Sequence, residues 1–178
     1  MYLVVSASLS PESRSRALAA ACSARLKELG ERTATLDLRE TTLPLCDGSE
    51  AYGHPNAVKA VELVSEAQAI LLAAPVYNFD VNAAAKNLVE LTGRAWTGKT
   101  VGLLLAAGGQ GSYMSGMGLA SSLMLDFRCH LVPRFVYATG DAFDALAPDT
   151  WGVGDDDVSR RVVELVDETV RVSQALAN

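Results

Sequence analysis

The sequence is poor in basic residues, in cysteine and in long apolar runs. Its 178 residues include 15 basic and 21 acidic side chains, which give a net charge of −6. Nucleic acids and anionic membranes bind to basic patches, so this charge balance argues against both as partners. No apolar stretch approaches the roughly 20 residues that span a bilayer. Residues 1–10 carry no basic side chain and only a short apolar run, so no signal peptide is expected.

The three cysteines, Cys22, Cys46 and Cys129, are far apart and form no CxxC pair. A disulfide framework is therefore not expected, and a reducing compartment, the cytoplasm, is predicted. The two histidines, His54 and His130, have no metal-ligand spacing with each other or with the cysteines, so no metal site is predicted. The sequence also lacks a GxSxG nucleophile motif, and we predict no catalytic side chain.

Short apolar runs alternate with helical patterns along the whole chain, without a linker or an internal repeat. This alternation predicts a doubly wound α/β fold, with helices on both faces of a parallel sheet and one domain over residues 1–178. The predicted strands cover residues 2–5, 33–38, 69–74, 101–106 and 131–138, and the predicted helices cover residues 13–29, 56–66, 82–92, 113–127 and 155–176.

The character of the strands predicts their order in the sheet. The first, third and fourth apolar runs are typical of strands that are buried on both faces. The second run alternates polar and apolar residues, and the fifth contains Pro133 and Arg134, so both are predicted at the edges. The flavodoxin-like order 2-1-3-4-5 explains this pattern better than the dinucleotide-binding order 3-2-1-4-5-6, which puts the second strand inside.

A ligand site is predicted where three loops meet. In open parallel sheets, ligands bind beyond the carboxyl ends of the strands, at the point where the winding reverses. The predicted order brings residues 7–15, 75–81 and 107–113 together there. Hydroxyl and N–H groups at the start of a helix can bind a phosphate, and Arg14 or Arg16 could add positive charge. The alternative role of the serines is to cap the helix, which would need only one of them. The first loop supplies Ser8, Ser10, Ser13, Arg14 and Ser15.

The other two loops suit a flat ring. Aromatic side chains at a strand end can lie against such a ring while an amide reads its polar rim, or can simply pack at the strand end. Glycines allow the backbone to approach a ligand closely. The second loop contains Pro75, Val76, Tyr77, Asn78 and Phe79, and the third contains Gly108, Gly109, Gln110, Gly111, Ser112 and Tyr113. Together the three loops predict a site for a phosphorylated, planar aromatic molecule.

Residues 93–100, GRAWTGKT, match the GxxxxGK(S/T) phosphate-loop pattern. That motif needs a strand before it and a helix after it, whereas here a predicted helix precedes it and a strand follows. Lys99 and Thr100 are therefore expected at the amino edge of the sheet, opposite the predicted site. We reject a nucleotide-triphosphatase function on this ground. The stretch from Gly109 to Gly111 does not complete a GxGxxG motif, because residue 114 is methionine.

At these loops the sequence resembles the NAD(P)H-dependent FMN reductase family, which includes quinone, azo-dye and chromate reductases. The first loop is similar to the family's GSxRxxSxN phosphate motif. Ser8 and Ser13 match its serines, and Ser15 stands for its asparagine. Ser10 replaces the family's arginine, and this weakens phosphate binding unless Arg14 or Arg16 substitutes for it.

The second loop is the most specific match, because PVYNFDVNAAAKN resembles the family's PxYNxxxPgxLKN. Asn82 and Ala83 replace the usual Pro-Gly, and Ala85 replaces the usual leucine. These changes affect the substrate side more than the flavin. The stretch GRAWTGKTVGLLLAAGGQG resembles the family's W-x-GK segment and GGxxG loop, so the resemblance covers the whole chain.

The resemblance implies FMN as the cofactor and NADPH or NADH as the reductant, with free flavin, a quinone or a similar compound as the acceptor. It implies that residues 75–79 line the isoalloxazine ring and that the chain forms a homodimer or homotetramer through helices near the flavin. Two other functions remain open. One is a flavodoxin-type electron carrier, although the first loop lacks the TxTGxT spacing of flavodoxins. The other is a flavin-binding module with little reductase activity.

Overall fold

The structure is a computed structural model that describes residues 1–177. The strands of these residues are β1 (Tyr2–Ser6), β2 (Thr33–Asp37), β3 (Ala69–Tyr77), β4 (Asp80–Val81), β5 (Thr100–Ala106), β6 (His130–Leu131), β7 (Val136–Ala138), β8 (Phe143–Ala147) and β9 (Thr150–Val153). Their α-helices are α1 (Arg14–Glu28), α2 (Pro55–Glu66), α3 (Ala83–Thr92), α4 (Met117–Phe127) and α5 (Asp156–Ala177). Short 3-10 helices cover Glu50–Gly53, Gly93–Trp96, Gln110–Ser112 and Gly140–Ala142.

The parallel sheet has the order β2-β1-β3-β5, and both β6 and β7 pair with β5 on its far side. Every residue of β1 and β5 is buried, as is expected of aliphatic strands covered on both faces. β2 lies at one edge and is mostly half-buried. The predicted flavodoxin-like order 2-1-3-4-5 is confirmed, with β5 as the fourth strand and β6 and β7 together as the fifth.

The fifth strand is not continuous, so the prediction of one strand over residues 131–138 was wrong in this respect. Residues 132–135 interrupt it between β6 and β7. Pro133 has no N–H to donate to a ladder, and Arg134 adopts a left-handed φ of 63°. The carbonyl group of Phe135 accepts a hydrogen bond from Arg161 Nη2 of α5 at 2.8 Å, so a helix side chain satisfies a backbone group in the gap.

Helices cover both faces of the sheet, as predicted. Successive strand residues point to opposite faces, so Leu3 and Val4 belong to different cores. One core contains Leu18 of α1 and Leu165 of α5. The other contains side chains from α2, α3 and α4, including Leu88. The two cores hold the sheet between them and fix the points where its loops begin.

The first helix has a clear start and end. Ser13 is its N-cap, and the Ser13 Oγ accepts a hydrogen bond from the Arg16 N–H at 3.1 Å. The helix ends before Gly30, whose φ of 73° suits glycine at that position. The fourth helix begins at Met117 rather than at residue 113, because a 3-10 turn takes up residues 110–112.

An antiparallel hairpin of β8 and β9 follows the sheet and was not predicted. Only Phe143 among the β8 residues is buried, so the alternation of apolar and polar residues that identifies a strand is weak there. The hairpin packs against α1, and Trp151 of β9 lies against the core between α1 and α5. The C-terminal part of the chain thus contributes a small second sheet beside the first helix.

The segment that mimics a phosphate loop lies where the sequence predicted. β5 begins at Thr100, at the amino edge of the sheet, and the helix α3 rather than a strand precedes the segment, as predicted. The Lys99 Nζ donates hydrogen bonds to the carbonyl groups of Ser65 and Ala67 at the end of α2, at 2.7 and 2.5 Å. Lys99 therefore holds a helix end in place.

Within residues 1–177 the three cysteines form no disulfide bond, and two of them, Cys22 and Cys129, are buried. Burial raises the pKa of Cys22 above its usual range and raises the pKa of Cys129 to about 11. Both therefore behave as apolar filling. Among the same residues no cluster of three or more metal-ligating side chains occurs, and no helix is long and apolar enough to cross a membrane.

The close contact of α5 with the sheet depends on Gly102 in β5. A Cβ built on Gly102 would lie 2.8 Å from Leu71 Cδ2 and 3.0 Å from Thr169 Oγ1. We expect Gly102→Ala to lower the free energy of unfolding by about 1–3 kcal/mol, because the extra methyl overpacks a buried layer. Chemical denaturation measures this. Gly53→Ala is the matched control, since nothing lies within 4 Å of its Cβ position; equal stability of both variants would contradict the prediction.

Candidate functional site

The carboxyl ends of β1, β3 and β5 lie side by side. Ser6 pairs with Ala73, and Ala73 pairs in turn with Leu104. The Ala7 N–H donates to the Ala73 carbonyl group at 2.9 Å, so the first loop leaves the sheet beside the third strand. The three predicted loops therefore start at one edge of the sheet, and Ser8, Tyr77 and Gly109 all belong to that edge.

The serines of the first loop are buried and paired with one another. Ser8, Ser13 and Ser15 are nearly inaccessible, and Ser10 is half-buried. The Ser8 Oγ accepts from the Ser10 N–H at 3.2 Å, and the Ser13 and Ser15 hydroxyls lie 3.1 Å apart. The first N–H groups of α1 have no partner within the helix, as at any helix start. The loop thus gathers hydroxyl and N–H groups at the positive end of α1.

The two arginines of the first loop have different surroundings. The Arg16 Nη2 lies 2.9 Å from the Asp37 Oδ2 at the end of β2, which makes an ion pair, but the buried Arg16 Nε and Nη2 have no well-aligned hydrogen-bond partner among the described residues. Arg14 is exposed, and its Cζ lies 4.7 Å from the centre of the Trp151 ring. Within residues 1–177, Arg14 forms no ion pair. Of the two arginines that the sequence offered for an anion, Arg14 is the one without an acidic partner among the described residues.

The second loop is a tight hairpin rather than an open loop, which corrects the sequence-based assignment of residues 75–81. β3 extends to Tyr77 and pairs antiparallel with β4, so that Tyr77 lies opposite Asp80. The two turn residues, Asn78 and Phe79, have positive φ angles of 50° and 64°. Pro75 and Val76 remain within β3, whereas the rings of Tyr77 and Phe79 are 54% and 56% exposed. Two aromatic rings thus project from the sheet edge.

Asn82 connects the first loop to the second, a role that the sequence did not reveal. Its Nδ2 donates to the Ala7 carbonyl group at 2.7 Å, and its backbone N–H donates to the Pro75 carbonyl group at 3.0 Å. The Asn82 side chain is buried, and its Oδ1 has no hydrogen-bond partner among the described residues. The sequence indicated this position only as a departure from the family's Pro-Gly.

The third loop is exposed and anchored from the fifth strand. The Tyr137 hydroxyl donates to the Gly109 carbonyl group at 2.5 Å, and the Tyr113 ring meets the Tyr137 ring edge-on, with centres 5.6 Å apart. The Gln110 Nε2 lies 3.4 Å from the Thr139 Oγ1. The sequence did not single out Tyr137, because a tyrosine within an edge strand carries no pattern of its own.

The third loop also leaves open space beside its backbone. A Cβ built on its glycines would meet no atom of the described residues within 4 Å, at Gly108, Gly109 and Gly111 alike. The half-buried Ser112 ends the short 3-10 helix within this loop. Nearby, a hydrogen bond from the Thr139 hydroxyl lowers the pKa of Asp141, so this side of the loop is negatively charged.

A cavity of about 930 Å³ lies elsewhere, between α3 and α4. It is lined by side chains of both charges, among them Lys86, Glu90, Arg94 and Asp126, and by no residue of the three loops. Its size therefore does not identify it as the ligand site. The loop edge is the better candidate, because its hydroxyls, free cation and exposed rings suit the two ends of a phosphorylated aromatic ligand.

Solved structures with the same architecture include a flavoenzyme and another oxidoreductase. The flavoenzyme NAD(P)H:(acceptor) oxidoreductase FerB of Paracoccus denitrificans matches with a TM-score of 0.77 and 19% identity, over 98% of this chain and 97% of that one. An oxidoreductase of Corynebacterium diphtheriae matches with a TM-score of 0.76 and 20% identity, over 98% of this chain and 96% of that one. At these identities the likeness establishes the fold.

Sequence comparison establishes the family. An NAD(P)H-dependent FAD/FMN reductase of Geobacillus thermodenitrificans is 27% identical over 143 residues, which are 79% of this chain and 75% of that protein. The family model described as NADPH-dependent FMN reductase matches residues 2–144. The predicted resemblance, with FMN and a nicotinamide as cofactors, is thereby confirmed. The chain belongs to the NADPH-dependent FMN reductase family.

Proposed function

We propose that the chain is an NAD(P)H-dependent FMN reductase whose loop edge would hold FMN, with NADPH or NADH as the hydride donor and free flavin, a quinone or a similar compound as the acceptor. The main observation behind this proposal is that three features lie at one edge of the sheet: a serine-rich helix start, two exposed aromatic side chains and an open glycine loop. When bound, the flavin accepts hydride and supplies the redox chemistry. The chain's own groups bind and orient, and no side chain is needed as an acid or base.

The first loop is proposed to bind the phosphate. Ser8, Ser10, Ser13 and Ser15 offer hydroxyl donors, and the start of α1 adds N–H groups and a favourable dipole. Arg14 supplies the charge that the family's arginine would supply at the position of Ser10. This assignment agrees with the ion pair that occupies Arg16.

The second and third loops are proposed to hold the isoalloxazine ring. Residues 75–79 form one wall, where Phe79 has a strained left-handed backbone and an exposed side chain. Gly108, Gly109, Gln110, Gly111, Ser112 and Tyr113 form the other wall, where the absent Cβ atoms leave room for close approach. The exposed rings leave one side of the site open to a nicotinamide and an acceptor.

The reductase activity can be tested with purified protein under anaerobic conditions. We expect the visible absorption band of FMN to bleach when NADPH or NADH is added, and to return when a quinone or excess free flavin is supplied. An electron carrier would bind FMN without rapid bleaching, and a binding module would bleach only very slowly. Lack of bleaching with both nicotinamides would contradict the reductase proposal.

The Asn82 bridge gives a second test. Asn82→Ala removes the hydrogen bond to the Ala7 carbonyl group, so the two loops lose their connection and we expect the dissociation constant for FMN to rise about tenfold. Titration with flavin fluorescence measures it. Asn56→Ala is the matched control, because the Asn56 Nδ2 also bonds a backbone carbonyl group, that of Thr42, at an exposed place. The same loss of affinity in both variants would exclude a specific role for Asn82.

An oligomer formed through α4 is also proposed. Met114, Met117, Met124 and Leu125 expose between 40% and 85% of their surface on and just before that helix, next to the third loop. Apolar surface concentrated in this way favours contact with a second copy.

A cytoplasmic location is proposed as well, with support from the free thiols of the described cysteines.

We expect the natural chain to elute as a dimer or tetramer in size-exclusion chromatography with light scattering. Leu125→Glu places a charge on the exposed α4 surface, so we expect this variant to elute as a monomer. Leu146→Glu is the control, since Leu146 is 68% exposed on β8. A natural chain that is already monomeric, or dissociation by the Leu146 variant alone, would refute the α4 interface.

A further inference from the structure

The β8–β9 hairpin brings an aromatic ring to the start of α1. Arg14 is the first residue of that helix, and its Cζ lies 4.7 Å from the centre of the Trp151 ring. A Cβ built on Gly140 would lie only 3.2 Å from the Arg14 Nη1. The guanidinium group therefore lies close to both the hairpin and the turn that follows β7.

This position leaves the guanidinium available to an anion. Within residues 1–177 its nitrogen atoms take part in no hydrogen bond and no ion pair, whereas Arg16 is bound to Asp37. A cation–π contact attracts the charge to the face of the ring, and the in-plane N–H donors of arginine remain free to bind phosphate oxygens. The turn after β7 lies at the carboxyl edge of the sheet, because Ala138 of β7 pairs with Ala106 of β5.

Packing alone does not account for a tryptophan at this position. Trp151 is half-buried, and its Nε1 is shielded from solvent without a hydrogen-bond partner among the described residues. A buried, unpaired N–H group is unfavourable, and a phenylalanine would avoid that cost while filling less of the space. Besides its packing area against the core, the larger indole ring supplies the strongest aromatic face for a cation.

We propose that Trp151 is a positioning residue that holds Arg14 at the phosphate end of the site and thereby sets the preference for FMN over riboflavin. The inference rests on the proposed function, in which FMN occupies the loop edge. It assigns to the hairpin a part in cofactor selection, although the hairpin contributes none of the three loops.

Riboflavin, which lacks the phosphate, makes the test specific. We expect Trp151→Leu to raise the dissociation constant for FMN about fivefold, because the cation–π contact is lost, and to leave that for riboflavin within about twofold. Trp151→Phe keeps an aromatic face and should hold FMN within about twofold of the natural chain. Both constants are measured by flavin fluorescence titration of the full chain, and riboflavin binding also reports that each variant is folded.

Combination with Arg14→Gln completes the test. If Trp151 acts through Arg14, Trp151→Leu should cause no further loss of FMN affinity in the Arg14→Gln background. Arg39→Gln is the charge control, because Arg39 is exposed after β2 and should leave the FMN-to-riboflavin ratio unchanged.

Two results would overturn the positioning role alone: equal losses of FMN and riboflavin affinity in Trp151→Leu, or additive losses in the double variant. Failure of the natural chain to bind either flavin would overturn the proposed function, and this inference with it.

Discussion

The parallel pairing of β1, β3 and β5 is the constraint on which the site depends. These strands are buried on both faces, and their residues alternate between two helix-covered cores. A slip of one residue in this pairing would turn each apolar side chain to the opposite core and would move one loop away from the others. The packing of aliphatic side chains far from the ligand therefore determines whether the three loops begin at the same level.

The general architecture could be predicted because its signals are local. Apolar runs indicated the inner strands, the helix predicted over residues 13–29 matches α1 to within one residue at each end, and the polar alternation of β2 indicated an edge. What the sequence did not reveal are contacts between distant residues. Asn82 bonds to a carbonyl group 75 residues away, and Tyr137 to one 28 residues away. Such partners have no spacing or period that could identify them before the fold is known.

Three local features were also missed, each for its own physical reason. Tight hairpin turns usually contain glycine, and the turn at Asn78 and Phe79 has none, so its sequence is typical of an open loop. In the β8–β9 hairpin, most side chains are exposed, and burial supplies no pattern. In the fifth strand the prediction treated Pro133 only as a sign of an edge, whereas with Arg134 it interrupts the strand.

The interruption between β6 and β7 affects how this molecule can meet another. An unbroken outer strand would offer a row of unsatisfied N–H and C=O groups, onto which a strand from a neighbouring chain could add. Here the row is divided into pieces of two and three residues, and between them lie a residue without an N–H and a carbonyl group already bound to Arg161. Growth of the sheet into an aggregate is thus discouraged along this border by backbone chemistry alone, and side-chain surfaces are left to govern association there.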